Sequence, residues 1–154
     1  MRIRRYRESD HDEVWALHNL ALEGTDAHPG NGPWDDDLHH VRDIYLNSGG
    51  EFLVGVHDQK VVAMGALKRT STDRAEVKRM RVHPDFQHRG FGRAILQRLE
   101  PRATGLGYTS LHLDTTVQQI PAQQLYVQNG YSEVGRSKLG RFDVIHYEKT
   151  LQSA

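Results

Sequence analysis

The 154-residue sequence predicts one α/β (α+β) domain over residues 1–154, with a mixed, mostly antiparallel sheet of six to seven strands, one central parallel pair and about four helices. Three apolar-rich runs at 52–57, 60–69 and 74–82 are separated by short polar breaks, which predicts an antiparallel meander. A helical pattern follows the third run and leads to a fourth run at 108–114. A helix that crosses between neighbouring strands makes them parallel, so the third and fourth runs should form that pair.

The N-terminal third is expected to add one strand and two helices. Arg2–Tyr6 alternates weakly, as a strand does, and a helical pattern follows it. The segment 23–33 is rich in glycine and proline and is expected to be a loop. A second helix is predicted to begin at Asp35–Asp37, whose charges favour a first turn, and to end at Gly49-Gly50. The side chains at helical spacing are Val14, Leu17, His18 and Ala21, then Leu38, Val41, Ile44 and Tyr45.

The C-terminal third continues the alternation of helices and strands. The helix after the third run should kink or stop at Pro101, which has no N–H to donate to Gln97. A short helix is predicted at 120–129. A last hairpin is predicted from the runs at 131–136 and 142–150.

Composition argues against several classes of function. Twenty basic and twenty acidic side chains give a formal net charge of zero, which disfavours non-specific nucleic-acid binding. The sequence has no cysteine, and so no cysteine nucleophile, and no apolar run long enough to cross a membrane. Its ten histidines lack the spacing of metal ligands, so no metal site is expected. A cytoplasmic protein that binds neither nucleic acid nor membrane is the expectation.

The run Met80–Arg93 joins a strand to a helix through the glycine turn Gly90-Phe91-Gly92. The first N–H groups of a helix have no partner within it and lie at its positive dipole end, which favours phosphate. A nucleotide P-loop needs a lysine and a hydroxyl after its last glycine, where Arg93 and Ala94 stand. A dinucleotide-binding turn needs a small residue three places after that glycine, where Ile95 stands. The segment therefore indicates a phosphate-binding turn of another kind.

Two motifs in register resemble those of the GNAT superfamily of N-acetyltransferases. The first is Val82-x-Pro84 followed by Gln87-x-x-Gly90-x-Gly92. The second is Gln119-x-x-Ala122-x-x-Leu125-Tyr126-x-x-x-Gly130-Tyr131, in which Gln119 and Tyr131 stand where the family pattern has Asn and Phe. The resemblance covers residues 74–135 and implies a GNAT-like fold and an acetyl-CoA-dependent N-acetyltransferase. A non-catalytic acyl-CoA-binding or regulatory module is the alternative.

The resemblance also implies which residues bind acetyl-CoA, the acyl donor. Two splayed strands would hold its pantetheine arm through backbone groups of Met80 and Val82, and the segment 87–93 would surround its pyrophosphate. The charges of Arg81, Arg89 and Arg93 fit that role, although each is equally well explained as a solvated side chain. The residues implied in cofactor binding are Met80, Arg81, Val82, Gln87, His88, Arg89, Gly90, Phe91, Gly92, Arg93 and Gln119. No metal cofactor is implied.

Tyr126 and Glu76 are the catalytic residues that the resemblance implies. Tyr126 is expected to protonate the departing thiolate, since a phenol stays protonated at neutral pH; an ordinary core tyrosine is the alternative. Glu76 stands where histone-acetylating relatives carry a glutamate that takes the amine proton through water. A water chain is the other candidate base, and an ion pair of Glu76 with Lys78 or Arg79 would instead make it structural.

Charge is unevenly distributed along the chain, and this bears on the acceptor. Between Glu8 and Asp43 there are ten acidic residues and one basic residue, Arg42. In GNAT folds this stretch forms much of the acceptor side, so the resemblance implies a cationic amine, small molecule or peptide, as preferred acceptor. Helix capping by Asp35–Asp37 and ordinary solvation of the other carboxylates are the alternative explanation. A homodimer is compatible with the sequence.

Overall fold

The protein forms a seven-stranded sheet with helices on both faces, in a computed structural model that describes residues 1–22 and 30–152. The strands are β1 (Arg2–Arg5), β2 (Glu51–His57), β3 (Lys60–Arg69), β4 (Arg74–Val82), β5 (Ser110–Thr116), β6 (Ser132–Leu139) and β7 (Phe142–Thr150). Their order is β1-β2-β3-β4-β5-β7-β6, and β4 and β5 form the parallel pair in an otherwise antiparallel sheet. The predicted mixed sheet is confirmed. Of the predicted loop at 23–33, residues 23–29 lie outside the described ranges.

Helices cover both faces of this sheet. They are α1 (His11–Leu22), α2 (Phe91–Gly105) and α3 (Ile120–Gln128), with 3-10 turns at Glu8–Asp10, Pro33–His39 and Pro84–Phe86 and a π-helical segment at Arg42–Leu46. On one face, α1 and the residues 33–46 bury a cluster that includes Val14, Tyr45 and Phe52. On the other face, α2 buries Ile95 and Leu99, four residues apart, as an amphipathic helix should. No helix in the described ranges is long and apolar enough to cross a membrane.

The single helix predicted from Asp35–Asp37 to Gly49-Gly50 is wrong. The chain forms the 3-10 helix Pro33–His39, breaks at His40, where φ is −140°, and continues as the π-helical segment Arg42–Leu46. Its local sequence favours one amphipathic helix, but side chains of other elements bind the carboxylates of Asp35 and Asp37, as described below. Tertiary contacts therefore override the local preference.

Three other boundaries differ from those predicted. α2 does not stop at Pro101 but continues to Gly105, because Ala103 on the next turn is fully buried against the sheet. β5 runs two residues later than predicted, since its ladder with β7 continues to Thr116. β6 continues past Arg136 because its pairing with β7 extends to the turn.

β4 and β5 pair only where they begin. Arg74, Ala75 and Glu76 lie beside Ser110, Leu111 and His112. Both strands continue beyond these residues, and within the described ranges they pair with each other nowhere else. They therefore separate and leave unpaired backbone groups along a cleft. This is the splayed pair that the resemblance implied.

A β-bulge interrupts β4 beside this cleft. The register shifts between Met64 and Ala66 of β3, so Arg79 and Met80 of β4 together oppose Gly65. Arg79 has a φ of +58°, in the left-handed region. Gly65 is needed opposite the bulge, because a Cβ at that position would lie 2.5 Å from Met80 Sδ.

The bulge determines which face of the sheet each side chain of β4 lies on. Before it, Ala75 and Val77 are buried against α2. After it, Met80 and Val82 pack on that same α2 side. The opposite side, called here the charged face of β4, carries Glu76, Lys78, Arg79 and Arg81.

Candidate active site

Two adjoining cavities open along the cleft between β4 and β5. The larger cavity has a volume of about 630 Å³ and the smaller cavity about 250 Å³. Both are lined by Leu22, Met80, Arg81 and Gln119, so the two cavities adjoin at these residues. The larger cavity is lined by every residue that the resemblance implied in cofactor binding except Arg89. The smaller cavity brings Tyr126 and Glu76 together.

The glycine turn forms the end of the larger cavity. Gly90 precedes α2 with a φ of +79°, which glycine adopts without strain. The N–H of Ala94 makes the first helical bond, to Gly90 O at 3.0 Å, so the N–H groups of residues 91–93 have no acceptor within the helix. A Cβ at Gly90 would meet nothing within 4 Å. Open space in front of unpaired N–H groups fits a pyrophosphate.

Gln119 forms the wall opposite the glycine turn. Its Oε1 accepts hydrogen bonds from Thr115 Oγ1 at 3.1 Å and Thr116 Oγ1 at 3.2 Å, and so ties the end of β5 to the start of α3. Arg89 lies outside the larger cavity, with its guanidinium carbon 5.1 Å from the centre of the Phe86 ring. Arg93 lines the cavity and is exposed. Phosphate contacts by these two arginines stay predictions. Arg81, the third arginine of that expectation, donates to His18 Nδ1 and to Met80 O on the side of the smaller cavity.

Tyr126 is buried and yet reaches the smaller cavity. Its ring is 6% exposed and packs edge-on against Tyr131, with ring centres 5.7 Å apart. Burial raises the pKa of Tyr126 to about 12, while the nearby Arg81 charge opposes that rise. Among the residues that the structure describes, no group bonds its hydroxyl. Tyr126 is therefore a core tyrosine whose protonated hydroxyl is available in the cavity.

Glu76 lies at the point where β4 and β5 separate. It is half-buried and lines the smaller cavity. The alternative of an ion pair with Lys78 or Arg79 is not observed: within residues 1–22 and 30–152 no side chain pairs with Glu76, and Arg79 binds Asp37 instead. Glu76 therefore presents a carboxylate without a protein partner in the described ranges.

Arg79 attaches the 3-10 helix Pro33–His39 to β4. Its Nε and Nη2 donate to the two carboxylate oxygens of Asp37 at 2.9 and 2.6 Å, and Nη2 also donates to Trp34 O. The Tyr45 hydroxyl donates to the same carboxylate. Burial raises the pKa of Asp37, but the bonds from Arg79 and Tyr45 outweigh it and hold the pKa below its usual value. The expectation that helix capping explains Asp37 is therefore wrong.

His18 connects this network to Arg81. It is 1% exposed, its Nε2 lies 2.9 Å from Asp35 Oδ1, and its Nδ1 accepts from Arg81 Nε at 3.4 Å. Because a guanidinium only donates, Nδ1 is unprotonated and Nε2 carries the proton. Burial and the charges of Arg81 and Arg79 lower the pKa of His18 to about 4, so the imidazole is neutral at neutral pH.

Sequence reasoning placed His18 on the buried side of α1 but did not identify its partners. A buried imidazole needs hydrogen-bond partners. That requirement was the sequence signal that could have indicated a polar network around His18. Asp35 and Arg81 are 17 and 63 residues away, so the partners themselves depend on the fold.

A model of the Acetyltransferase (GNAT) family matches residues 11–131, which include β2 to β5 and all residues lining the smaller cavity. The match covers more than half of the chain. The protein therefore belongs to the GNAT acetyltransferase family.

A curated relative, the amino-acid acetyltransferase of Azotobacter vinelandii (strain DJ / ATCC BAA-1303), is 33% identical over 80 residues. These residues are 51% of this chain and 18% of that protein, so the match spans less than a fifth of the relative.

Solved structures show the same fold. An acetyltransferase of the GNAT family from Staphylococcus aureus Mu50 superposes with a TM-score of 0.89 at 23% identity, over 98% of this chain and 99% of that one. The yncA protein of Salmonella typhimurium, solved with its cofactor acetyl-CoA, gives 0.80 at 20% identity over 100% and 95%. The paia N-acetyltransferase of Thermoplasma acidophilum, in complex with coenzyme A, gives 0.76 at 19% identity over 97% and 98%.

Proposed function

We propose that this protein is an acetyl-CoA-dependent N-acetyltransferase that transfers the acetyl group directly to a primary amine. The observation that carries the proposal is that the two cavities adjoin and share four lining residues. One ends at unpaired helix N–H groups, and the other contains the Tyr126 hydroxyl and the Glu76 carboxylate. Two proteins of the same fold were solved with acetyl-CoA or coenzyme A, which supports that donor.

The larger cavity would hold the donor. The N–H groups of residues 91–93 would bind its pyrophosphate, and the open space at Gly90 admits that group. Backbone groups around Met80 and Val82, which have no partner on β5, would bond the pantetheine arm, although Met80 O already accepts from Arg81 Nη1. Phosphate oxygens would also accept from Arg93 and from the backbone around His88.

Bound acetyl-CoA supplies a thioester carbon that a neutral amine attacks, with cleavage of the carbon–sulfur bond. Tyr126 would donate its hydroxyl proton to the sulfur as that bond breaks. The burial that raises the pKa of its phenol also raises the pKa of a thiol in the same pocket, because desolvation disfavours both anions. The proton transfer therefore stays feasible despite the raised phenol pKa.

The amine must lose a proton, and Glu76 or a water chain beginning at Glu76 would take it. The carboxylate lies in the same cavity as Tyr126 and has no partner within the described ranges. A carboxylate that bonds no protein cation is free to accept a proton from a substrate or a water.

The preferred acceptor is proposed to be a cationic amine. Glu76 supplies negative charge inside the cavity, although Asp10 and Asp37 are already paired with arginines and contribute little outward field. The relative from Azotobacter vinelandii is an amino-acid acetyltransferase by name, which is compatible with a small amine as acceptor. Steady-state kcat/KM for lysine, spermidine, a lysine peptide and glutamate at low and high salt tests this. Glutamate turned over as fast as the best of the three cations, or turnover of that cation indifferent to salt, would contradict it.

The activity itself is tested by mass spectrometry of free CoA and acetylated products after incubation of the pure protein with acetyl-CoA and a broad amine panel. We expect CoA release above the buffer rate together with an acetylated amine. CoA release no faster than buffer across the panel would favour the alternative, a non-catalytic acyl-CoA-binding or regulatory module.

A homodimer is a further part of the proposal. β6 is an edge strand of the sheet, and its Val134 and Leu139 are 61% and 71% exposed. Light scattering after gel filtration measures the assembly directly, and the mass of a single chain at all concentrations would exclude the dimer.

A further inference from the structure

Among the residues that the structure describes, the smaller cavity contains one arginine without a carboxylate partner, Arg81. Arg81 donates from Nε to His18 Nδ1 and from Nη1 to Met80 O at 2.9 Å. The other three of its five N–H groups have no acceptor within residues 1–22 and 30–152, and no carboxylate there lies within salt-bridge distance of it. Burial and the Arg79 charge lower the pKa of Arg81 to about 10, so it remains charged at neutral pH.

The nearby Arg79 has a structural role, and its hydrogen-bond partners differ from those of Arg81. Arg79 binds both oxygens of Asp37 and a backbone carbonyl, so its charge is neutralised within the fold. Arg81 lies two residues further along the same face and has no such counter-charge within residues 1–22 and 30–152. A largely buried cation without an anion is unfavourable, and an anionic ligand in the cavity would remove that penalty.

The charged face of β4 carries both signs of charge in one row. Glu76 lies at one end, and Lys78 and Arg81 follow; Lys78 has no ion pair within the described ranges. Glu76 and Lys78 are two residues apart on one face of a strand, or about 7 Å, and Arg81 lies about one such step further along, beyond the bulge. The three side chains line the same small cavity, so the opposite charges can act on one ligand there. A dianion such as a phosphate ester would be repelled by Glu76 and Asp35, which line the same cavity.

We infer that the acceptor carries a carboxylate close to its amine, as an amino acid does, and that Arg81 binds this carboxylate. Lys78 adds positive charge beside it, and Glu76 faces the ammonium. The inference rests on the proposed function and narrows it: among cationic acceptors, basic amino acids fit the cavity and polyamines do not.

The test compares each amino acid with its own carboxamide, which keeps the α-amine and the side chain but lacks the carboxylate. Purified protein is incubated with acetyl-CoA and an equimolar mixture of the twenty L-amino acids and their amides, and acetylated products are counted by mass spectrometry. The amide loses the hydrogen bond between two charged groups, so we expect the acids to be favoured at least about tenfold over their amides.

Variants of two arginines complete the test. Arg81→Met should bring the ratio of acid to amide close to one and leave the KM of acetyl-CoA unchanged, whereas Arg81→Lys should keep part of the preference. Arg98→Met, at an exposed arginine of α2, is the matched control and should keep the full preference. Amides acetylated as fast as acids, or an Arg81→Met variant that raises the KM of acetyl-CoA without changing the ratio, would overturn the inference while the transferase activity stands.

A binding measurement tests this inference independently of the proposed activity, in case no amine is acetylated. Saturation-transfer NMR with the same mixture is recorded on protein saturated with CoA. Signals from the acids but not the amides, lost in Arg81→Met, would support the carboxylate site although the proposed activity had failed. Absence of such signals would overturn the inference.

Discussion

The two faces of β4 differ in how they would recognise a substrate. On the α2 side, Met80 and Val82 are apolar, and the groups offered to the donor are backbone groups and the glycine turn. On the charged face, Glu76 and Arg81 offer side chains. Backbone recognition needs only a strand, a turn and a glycine, which a short motif specifies. Side-chain recognition depends on the residue at each position. The family motif can therefore specify a site for the proposed donor, but it does not specify the acceptor.

Gly90→Glu should have the largest effect, and only on the donor side. Unit charges about 4 Å apart repel by about 4 kcal/mol at an effective dielectric of 20, so the Kd of CoA should rise by roughly a thousandfold. Gly107→Glu is the matched control, because Gly107 also has a positive φ and open space but lies beyond the other end of α2. Calorimetry with CoA measures both, and equal affinities would place the phosphates elsewhere.

The cluster around His18, on the proposed acceptor side of the site, should make the stability of the fold sensitive to acid. The pKa of His18 is about 4 in the folded protein and 6.5 in the unfolded chain, so the unfolded state binds more protons between these values. Stability should therefore fall as pH drops from 6.5 towards 4, by up to about 3 kcal/mol. The lowered pKa of Asp37 adds a separate loss only as pH falls below its usual value of 3.8.

Denaturant unfolding across this pH range measures the effect. His18→Gln should abolish the loss above pH 4, and His40→Gln, at an exposed histidine, should keep it. A free energy of unfolding that stays constant from pH 6.5 to 4.5 in the unmodified protein would contradict a neutral buried His18.

Tyr126→Phe tests the residue that the proposed mechanism places beside the bond transferred from donor to acceptor. It should lower kcat by about 10- to 1,000-fold with little change in acetyl-CoA affinity, because only the proton donor is removed. Tyr131→Phe is the control: the adjacent ring loses its bond to Glu100, which should reduce stability without reducing kcat. An unaltered kcat in Tyr126→Phe would leave Tyr126 with a packing role alone.

Glu76→Gln should have the smallest effect, confined to the charged face. We expect kcat to fall about tenfold at pH 7, below the usual range for a general base because water can substitute, and the deficit to shrink at high pH. Asp114→Asn is the control, since Asp114 lines the same cavity but is paired with His146. A deficit independent of pH would argue that Glu76 is not the base.

Elements formed by interactions between residues close in sequence were predicted well, whereas elements that depend on contacts between distant residues were not. β3 and β4 were predicted with their observed ends, because apolar runs and polar breaks are local signals. The helix from Asp35 failed because Arg79, 42 residues away, binds Asp37. The order of residues around the larger cavity was predictable from a contiguous motif. The link from Asp35 through His18 to Arg81 was not, since it depends on three elements meeting and on the bulge that turns Arg81 towards α1.

The bulge at Arg79 also sets rules for protein engineering. Because the bulge keeps Arg81 on the same side of β4 as Glu76 and Lys78, a library that randomises these three residues would change the charged face while leaving Met80 and Val82 in place. In a regular strand Arg81, three residues after Lys78, would point to the α2 side, so a substitution that removes the bulge would bring arginine against α2. Directed evolution of a new acceptor range should therefore vary codons 76, 78 and 81 and leave Arg79 and Gly65 unchanged.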